Sequence, residues 1–152
     1  MGFTRIDYEE LDGVARITLR RPERANAIDQ AMLREIGRAL DAAERDPQVR
    51  ALIVQGAGAT FSSGFDLKEQ MERRPTGVAA WEPLLRQDFD TVMRFWHAPK
   101  PTIAAVRGAC LAGAFELALA CDLTIAAEDA FFGEPELRFG AGIVVLLWTR
   151  RT

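Results

Sequence analysis

The sequence is poor in the residues that most often build metal centres and disulfide frameworks. Its 152 residues contain one histidine, His97, and two cysteines, Cys110 and Cys121. A single histidine argues against a metal cluster of the usual histidine type. Both cysteines stand among apolar residues, a setting typical of small buried side chains in a reducing compartment. We therefore expect no metal, no disulfide and a cytoplasmic location.

Long apolar runs and a strong charge of either sign are also missing. No stretch is apolar for long enough to cross a bilayer, and the first residues, MGFTRIDYEELDG, lack the apolar centre of a signal peptide. The net charge of −3 does not favour nucleic acid or an acidic membrane as a partner. With 49% hydrophobic and 27% charged residues, the composition predicts a globular domain with a real core.

The first half of the chain alternates strand-like runs with a helical pattern. Asp12-Gly13 separates apolar runs at 6–11 and 14–20, which predicts a β-hairpin. Asp29 is placed to cap a helix that runs to about Arg45. A continuous apolar run at 49–55 then predicts a buried strand of the parallel type.

The second half repeats this alternation. A helix is expected from about Trp81 to Trp96, with Pro83 in its first turn. Its predicted apolar stripe consists of Trp81, Leu85, Phe89, Val92 and Trp96. An apolar run from Thr102 to Gly108, a helix and another apolar run follow. Strand and helix alternate, so we expect an α/β fold with largely parallel strands.

Two glycine turns lie where a strand leads into a helix, at Gly64-Phe65 and at Ala112-Gly113. Backbone N–H groups at a helix start are unpaired and carry the positive end of the helix dipole. Two such turns side by side could direct two donors at one carbonyl oxygen and form an oxyanion hole. The alternative is that glycine only permits tight turns, and spacing alone favours that alternative.

Two glutamates follow the second turn. Glu116 lies in Phe115-Glu116-Leu117, on a helix that is apolar nearly all round, and Glu136 follows Pro135 after a tight turn. Paired carboxyl groups near an oxyanion hole suit acid–base chemistry at a carbon next to a carbonyl. A solvated helix face does not explain Glu116 well. Taken alone, Glu136 is better explained as a carboxylate in a first helical turn.

Other motifs in the chain are weak. The loop that begins Gly56-Ala57-Gly58 has Phe61 where a dinucleotide-binding loop needs its third glycine. Ser62 or Ser63 with His97 could form a hydrolase pair, but no Gly-x-Ser-x-Gly elbow is present. Arginines between 20 and 24 are typical of a solvated loop, which does not exclude a phosphate contact.

Taken together, these segments resemble the enoyl-CoA hydratase/isomerase family, also called the crotonase superfamily. The resemblance rests on Arg21-Pro22 with Asn26-Ala27, on ALIVQGAGATFSSGFDLKE, and on KPTIAAVRGACLAGAFELALACDLTIAAEDAFFGEPELRFG. It covers most of the chain from Arg21 to Gly140. The resemblance implies a crotonase-like spiral of repeated ββα units, with residues 1–140 as its core.

The resemblance also implies site residues. Phe65 and Gly113 match the positions whose main-chain N–H groups form the family's oxyanion hole, and Glu116 and Glu136 match the two glutamates of family hydratases. Having both glutamates favours a hydratase over an isomerase, in which often only the later one is kept. Residues implied to line the coenzyme A moiety of the substrate are Arg24, Ala25, Ala27, Ser63, Asp66, Leu67 and Lys68.

The implied activity is hydration of 2-enoyl-CoA thioesters without any cofactor, within fatty acid metabolism. Alternatives are isomerisation, decarboxylation or thioester hydrolysis on the same fold, or a non-catalytic interaction module. Family members continue past this chain with a helical C-terminal part that supports a homotrimer or hexamer. We therefore expect residues 141–152 to begin a truncated helical region.

Overall fold

The computed structural model describes residues 2–73 and 75–139. It begins with a hairpin of β1 (Ile6–Leu11) and β2 (Val14–Leu19), paired antiparallel. Asp12 and Gly13 have φ values of 52° and 80°, the left-handed conformation that a tight hairpin turn requires. The predicted hairpin is therefore confirmed. The predicted helix at 141–152 lies outside the described residues.

Helix α1 (Gln30–Arg45) follows a loop and packs its apolar face on this hairpin. Asp29 caps it, since the Asp29 Oδ1 atom accepts a hydrogen bond from the Met32 amide at 2.7 Å. Met32, Ile36 and Leu40 are fully buried at four-residue spacing. The cap and the buried face agree with the sequence prediction.

In the rest of the chain strands alternate with helices, and after β4 and after β6 a short strand precedes the helix. The elements are β3 (Ala51–Gly56), α2 (Leu67–Arg73), α3 (Val78–Trp96), β4 (Thr102–Val106), β5 (Ala109–Leu111), α4 (Gly113–Ala120), β6 (Leu123–Ala126), β7 (Phe131–Gly133) and α5 (Glu136–Phe139). The five longer strands form one sheet in the order β1-β2-β3-β4-β6, parallel from β2 onward. The short strands β5 and β7 pair in a second layer.

Each repeat passes from the first sheet to the second layer before its helix begins. After β3, Ser62 bridges to Cys110 of β5. After β4 and β6, the chain enters β5 and β7 directly. The ββα spiral expected from the sequence is thus confirmed, although β5 itself was not predicted, because the apolar run was expected to end at Gly108. This layering places the starts of α2, α4 and α5 next to the second layer.

Helix α3 departs from its prediction in two ways. It begins at Val78, so Pro83 lies inside the helix instead of in its first turn. Its buried face consists of Asp88, Thr91, Val92 and Phe95. Leu85 and Phe89, which the apolar stripe had included, are exposed.

The orientation of α3 follows from a contact with α1. Arg94 donates a hydrogen bond to the Gly37 carbonyl at 2.9 Å and forms ion pairs with Asp41 and Glu44. These polar contacts hold the Arg94 side of α3 against α1. Apolar periodicity could not reveal this constraint, because the partners are about fifty residues away in sequence.

The two cysteines and the lengths of the helices can also be compared with the sequence predictions. Cys110 and Cys121 are buried, as expected of core residues. Within residues 2–73 and 75–139, no helix is long and apolar enough to cross a membrane.

A buried amide side chain joins the loop after β2 to the loop after β3. The Asn26 Nδ2 atom donates to the carbonyl oxygens of Ala57 and Thr60, both at 2.8 Å, and its Oδ1 atom accepts from the Arg21 amide at 2.9 Å. Its own carbonyl accepts from the Ser62 hydroxyl at 2.8 Å. Asn26 thereby holds in place the segment at 57–62, which leads into the Gly64-Phe65 turn.

We predict that Asn26→Ala lowers the free energy of unfolding by about 3 kcal/mol, because several buried polar groups lose their partner and alanine disfavours the φ of 52° at this position. Chemical denaturation measures the change. Glu23→Ala, an exposed substitution in the same loop, is the matched control. A loss for Asn26→Ala no larger than that of the control would contradict the prediction.

Asp88 on α3 is a buried carboxyl whose Oδ2 atom accepts from the Gln70 side chain at 3.3 Å. Burial, together with the nearby Glu69 carboxylate, raises the pKa of Asp88 to about 6. A carboxyl with a raised folded-state pKa binds its proton more tightly when folded, so stability declines as the pH rises from about 4 through 6.

We expect Asp88→Asn to raise the free energy of unfolding by about 1–2 kcal/mol at pH 7, where the wild-type carboxyl is charged in both states. Near pH 4 the gain should vanish, because the carboxyl is protonated in the fold. Thermal unfolding at several pH values measures the difference. A gain of equal size at both pH values would show that burial of charge is not its cause.

Candidate active site

The two predicted glycine turns touch each other. A Cβ atom added at Gly113 would lie 2.2 Å from the Phe65 Cε2 atom, and one added at Gly64 would lie 2.7 Å from the Ala112 Cβ atom and 3.2 Å from the Gly113 nitrogen. No real Cβ atom approaches so closely. Gly64, with a φ of 93°, and Gly113 are therefore required for the turns to meet.

Hydrogen bonds of the second layer hold both turns in place. The Ser62 amide donates to the Ala109 carbonyl, and the Leu111 amide donates to the Ser62 carbonyl, both at 3.1 Å. On the other side of this layer, the Ala112 amide donates to the Gly133 carbonyl at 2.9 Å. The turn that starts α4 therefore lies between the segment after β3 and the end of β7.

The amides of Phe65 and Gly113 take no part in these pairings. Ile28 bridges to Phe65 through the Gly64 carbonyl and the Asp66 amide, so the Phe65 N–H group points to the opposite side. Gly113 is the first residue of α4, where an N–H group has no partner within the helix. Among the described residues, neither amide donates a backbone hydrogen bond outside its own element.

Carboxyl groups gather beside this pair of turns. Glu116 lies in the first turn of α4 and is 1% exposed. Glu134 and Glu136 follow β7, whose last residue, Gly133, pairs with Leu111 of β5. Burial, then the charge and hydrogen bonding of Glu136 and the charge of Glu116, raise the pKa of Glu134 to about 8. Three carboxyl groups thus interact in one place.

Sequence reasoning did not single out Glu134, although a signal was present. In an extended chain, residues two apart face the same side. Glu134 and Glu136 flank Pro135, so the place beside the turn that drew attention to Glu136 is shared by Glu134.

The segments predicted to line coenzyme A are adjacent in the fold. The Ser63 amide donates to the Ala25 carbonyl at 2.9 Å, which joins the loop at 24–27 to the segment at 63–68. Arg24, Leu67 and Lys68 are exposed, whereas Ala25, Ala27 and Ser63 are half-buried. Within the part of the chain that the structure describes, Lys68 pairs with Glu72 at 4.0 Å, and both side chains are exposed, so the ammonium group is open to other partners.

Asp66 differs from the other residues of this group. Its Oδ2 atom accepts from the Arg21 guanidinium at 3.0 Å, and its Oδ1 atom accepts from the Glu69 amide at 3.1 Å. Although partial burial alone would raise the pKa of Asp66, the Glu69 amide and Arg21 lower it below its usual range. Protein groups thus engage both oxygens, and Asp66 caps α2 and anchors it to the loop after β2.

The fold is the crotonase-like spiral that the sequence predicted, and comparisons with known proteins agree. The sequence profile described as enoyl-CoA hydratase/isomerase matches residues 9–151. The chain is 42% identical over 127 residues to a probable enoyl-CoA hydratase of Bacillus subtilis, covering 84% of this chain and 48% of that protein. It is 36% identical over 139 residues to a hydroxycinnamoyl-CoA hydratase-lyase of Pseudomonas fluorescens, covering 89% and 50%.

A solved structure is closer still. The crystal structure of an enoyl-CoA hydratase/isomerase from Xanthobacter autotrophicus Py2 superposes with a TM-score of 0.95 at 75% identity, covering 97% of this chain and 55% of that one. The chain belongs to the enoyl-CoA hydratase/isomerase family. It spans about half the length of the curated relatives it matches.

We predict that Gly113→Ala displaces the Phe65 ring, since the added methyl group overlaps it. In the full-length protein this change should lower kcat for an enoyl-CoA substrate by about 100-fold, because both turns carry amides of the candidate site. Phe65→Ala should be milder, because only its main chain is expected to act. The double variant should recover much of the activity lost in Gly113→Ala, since the smaller side chain frees the space. Additive losses in the double variant would show that the overlap is not the cause.

Proposed function

We propose that the protein containing this chain hydrates 2-enoyl-CoA thioesters. The observation that carries the proposal is the contact between the Phe65 and Gly113 turns, beside a carboxyl group buried on the helix that starts at Gly113. Family membership agrees with this activity.

The two main-chain amides are proposed to bind the thioester carbonyl oxygen. Water adds at the β-carbon, and the electrons of the double bond move toward the thioester, where negative charge builds on the oxygen. The Phe65 and Gly113 N–H groups stabilise this enolate, each by about 3–4 kcal/mol. No metal or redox cofactor enters this scheme.

Glu116 and Glu136 are proposed to hold and activate the water. Glu116 takes a proton from the water as its oxygen bonds to the β-carbon, and Glu136 supplies the proton that the α-carbon receives. Support comes from the burial of Glu116 and from the interaction of both carboxyl groups with Glu134. A buried carboxyl group beside other carboxyl groups is costly unless it has a function.

The coenzyme A moiety is proposed to lie along residues 24–27 and 63–68, with contacts mainly to the main chain. The exposed Arg24 and Lys68 side chains are the proposed partners of its phosphates. Their exposure and the direct pairing of Ala25 with Ser63 support this assignment.

Assembly as a homotrimer or hexamer and a cytoplasmic role in fatty acid metabolism belong to the same proposal. Apolar side chains exposed on the described part of β6 and β7, including Leu123 and Phe131, are consistent with further contacts of the whole protein. Sedimentation of the full-length protein distinguishes a trimer or hexamer from a monomer.

We expect the full-length protein to consume crotonyl-CoA, seen as loss of the absorbance of the conjugated thioester. Glu116→Gln and Glu136→Gln should each lower kcat by about 100- to 10,000-fold, because proton transfer by a positioned carboxyl contributes this much. Glu128→Gln, an exposed substitution on the β6–β7 connection, is the matched control.

The outcome also separates the alternatives. Binding of CoA thioesters without hydration, but with formation of a conjugated product from 3-enoyl-CoA, would assign an isomerase. Release of free CoA or of carbon dioxide would assign a thioester hydrolase or a decarboxylase. Equal thioester binding by wild type and both glutamine variants, with no reaction of any kind, would assign a non-catalytic module.

A further inference from the structure

Glu134 is a carboxyl group to which the proposed reaction gives no task. It stands between Gly133, which ends β7, and Pro135, which precedes α5. The pairing of β5 with β7 and the bond from the Ala112 amide to the Gly133 carbonyl hold this segment against the start of α4. Glu134 therefore lies at the candidate site for reasons of backbone geometry.

The Glu134 carboxyl is shielded from water and lies beside the Glu136 carboxyl. No N–H or hydroxyl donor among the described residues reaches either of its oxygens, and the same holds for the Glu136 Oε2 atom. Two neighbouring carboxylates can only accept, so they cannot bond to each other when both are ionised. A single proton between them satisfies both groups, which is the arrangement of aspartic-protease dyads.

We propose that Glu134 and Glu136 share one proton at neutral pH, which makes Glu134 a positioning residue that keeps Glu136 supplied for proton donation to the α-carbon. This inference rests on the proposed hydration. The charges that face Glu134 are Glu116 from α4 and Glu136 from α5, and Cys110 from β5 lies nearby. Burial raises the pKa of Cys110 to about 12, with smaller effects of Cys121 and Glu134, so the thiol stays neutral.

The proton balance of the cycle follows. Water loses a proton to Glu116 as its oxygen bonds to the β-carbon, and the α-carbon receives the proton held by the Glu134–Glu136 pair. Glu116 then holds one proton and the pair holds none. Return of that proton from Glu116 to the pair restores the starting state, and Glu134, which interacts with both other carboxyl groups, provides a route for it.

The raised pKa of Glu134, about 8, agrees with this arrangement. Above that pH the pair loses its proton, and hydration should decline. With glutamine at 134, an amide still donates to Glu136 but holds no titrating proton. The alkaline limb of the pH profile should then move toward lower pH.

The test compares kcat/KM for crotonyl-CoA hydration between pH 5.5 and 9.5 in the full-length wild type, Glu134→Gln and the exposed control Glu128→Gln. We expect the alkaline limb of Glu134→Gln to lie at least one pH unit lower, with a loss of at least tenfold at pH 7.5 and less than threefold at pH 5.5. Superposable profiles for Glu134→Gln and the control, or a loss that is the same at every pH, would overturn the proposal.

A second readout does not depend on activity. Infrared difference spectra between pH 6.5 and pH 9.5 should show the carbonyl band of one more protonated carboxylic acid in the wild type than in Glu134→Gln, since Asp88, with its pKa of about 6, contributes equally to both. If the wild type fails to hydrate crotonyl-CoA but shows this band, the shared proton stands and the proposed reaction fails. If hydration occurs and the band is missing at pH 6.5, the shared proton is wrong and the reaction stands.

Discussion

Two loops that are nearly fifty residues apart in sequence come into van der Waals contact at Phe65 and Gly113. The contact leaves no room for a side chain at 113, so the ring of Phe65 and the backbone of α4 define each other's position. Asn26 and Ser62 hold one side of the contact, and the end of β7 holds the other. The proposed chemistry, the placement of Glu116 and the arrangement of Glu134 all depend on this one close approach.

Features that depend on local chemistry were predictable from the sequence. The Asp12-Gly13 turn, the Asp29 cap and the helix opening at Gly113 each follow from a few adjacent residues. The two turns could be identified as strand-to-helix turns, but only the resemblance suggested that they meet. Their contact is set by the pairing of short strands in the second layer, which no apolar period reveals.

Features that depend on distant polar partners were not predictable. The buried face of α3 is shifted because Arg94 is held by α1, and Asp66 is engaged by Arg21 from a loop 45 residues earlier. Glu134 was overlooked for a different reason. Its significance lies in a shared environment with Glu116 and Glu136, and a carboxyl that lacks donors can only be recognised once its surroundings are known.

Ala112 adopts a backbone conformation that alanine rarely visits, with a φ of 55° and a ψ of −136°. Such a conformation costs on the order of 1–3 kcal/mol and persists only where the surroundings enforce it. Here the Ala112 amide is bonded to the Gly133 carbonyl, and its own carbonyl receives the Phe115 and Glu116 amides. The orientation of the Gly113 N–H group is therefore already set in the folded chain. Binding of an anion at this N–H group would require no rearrangement of the Ala112–Gly113 peptide.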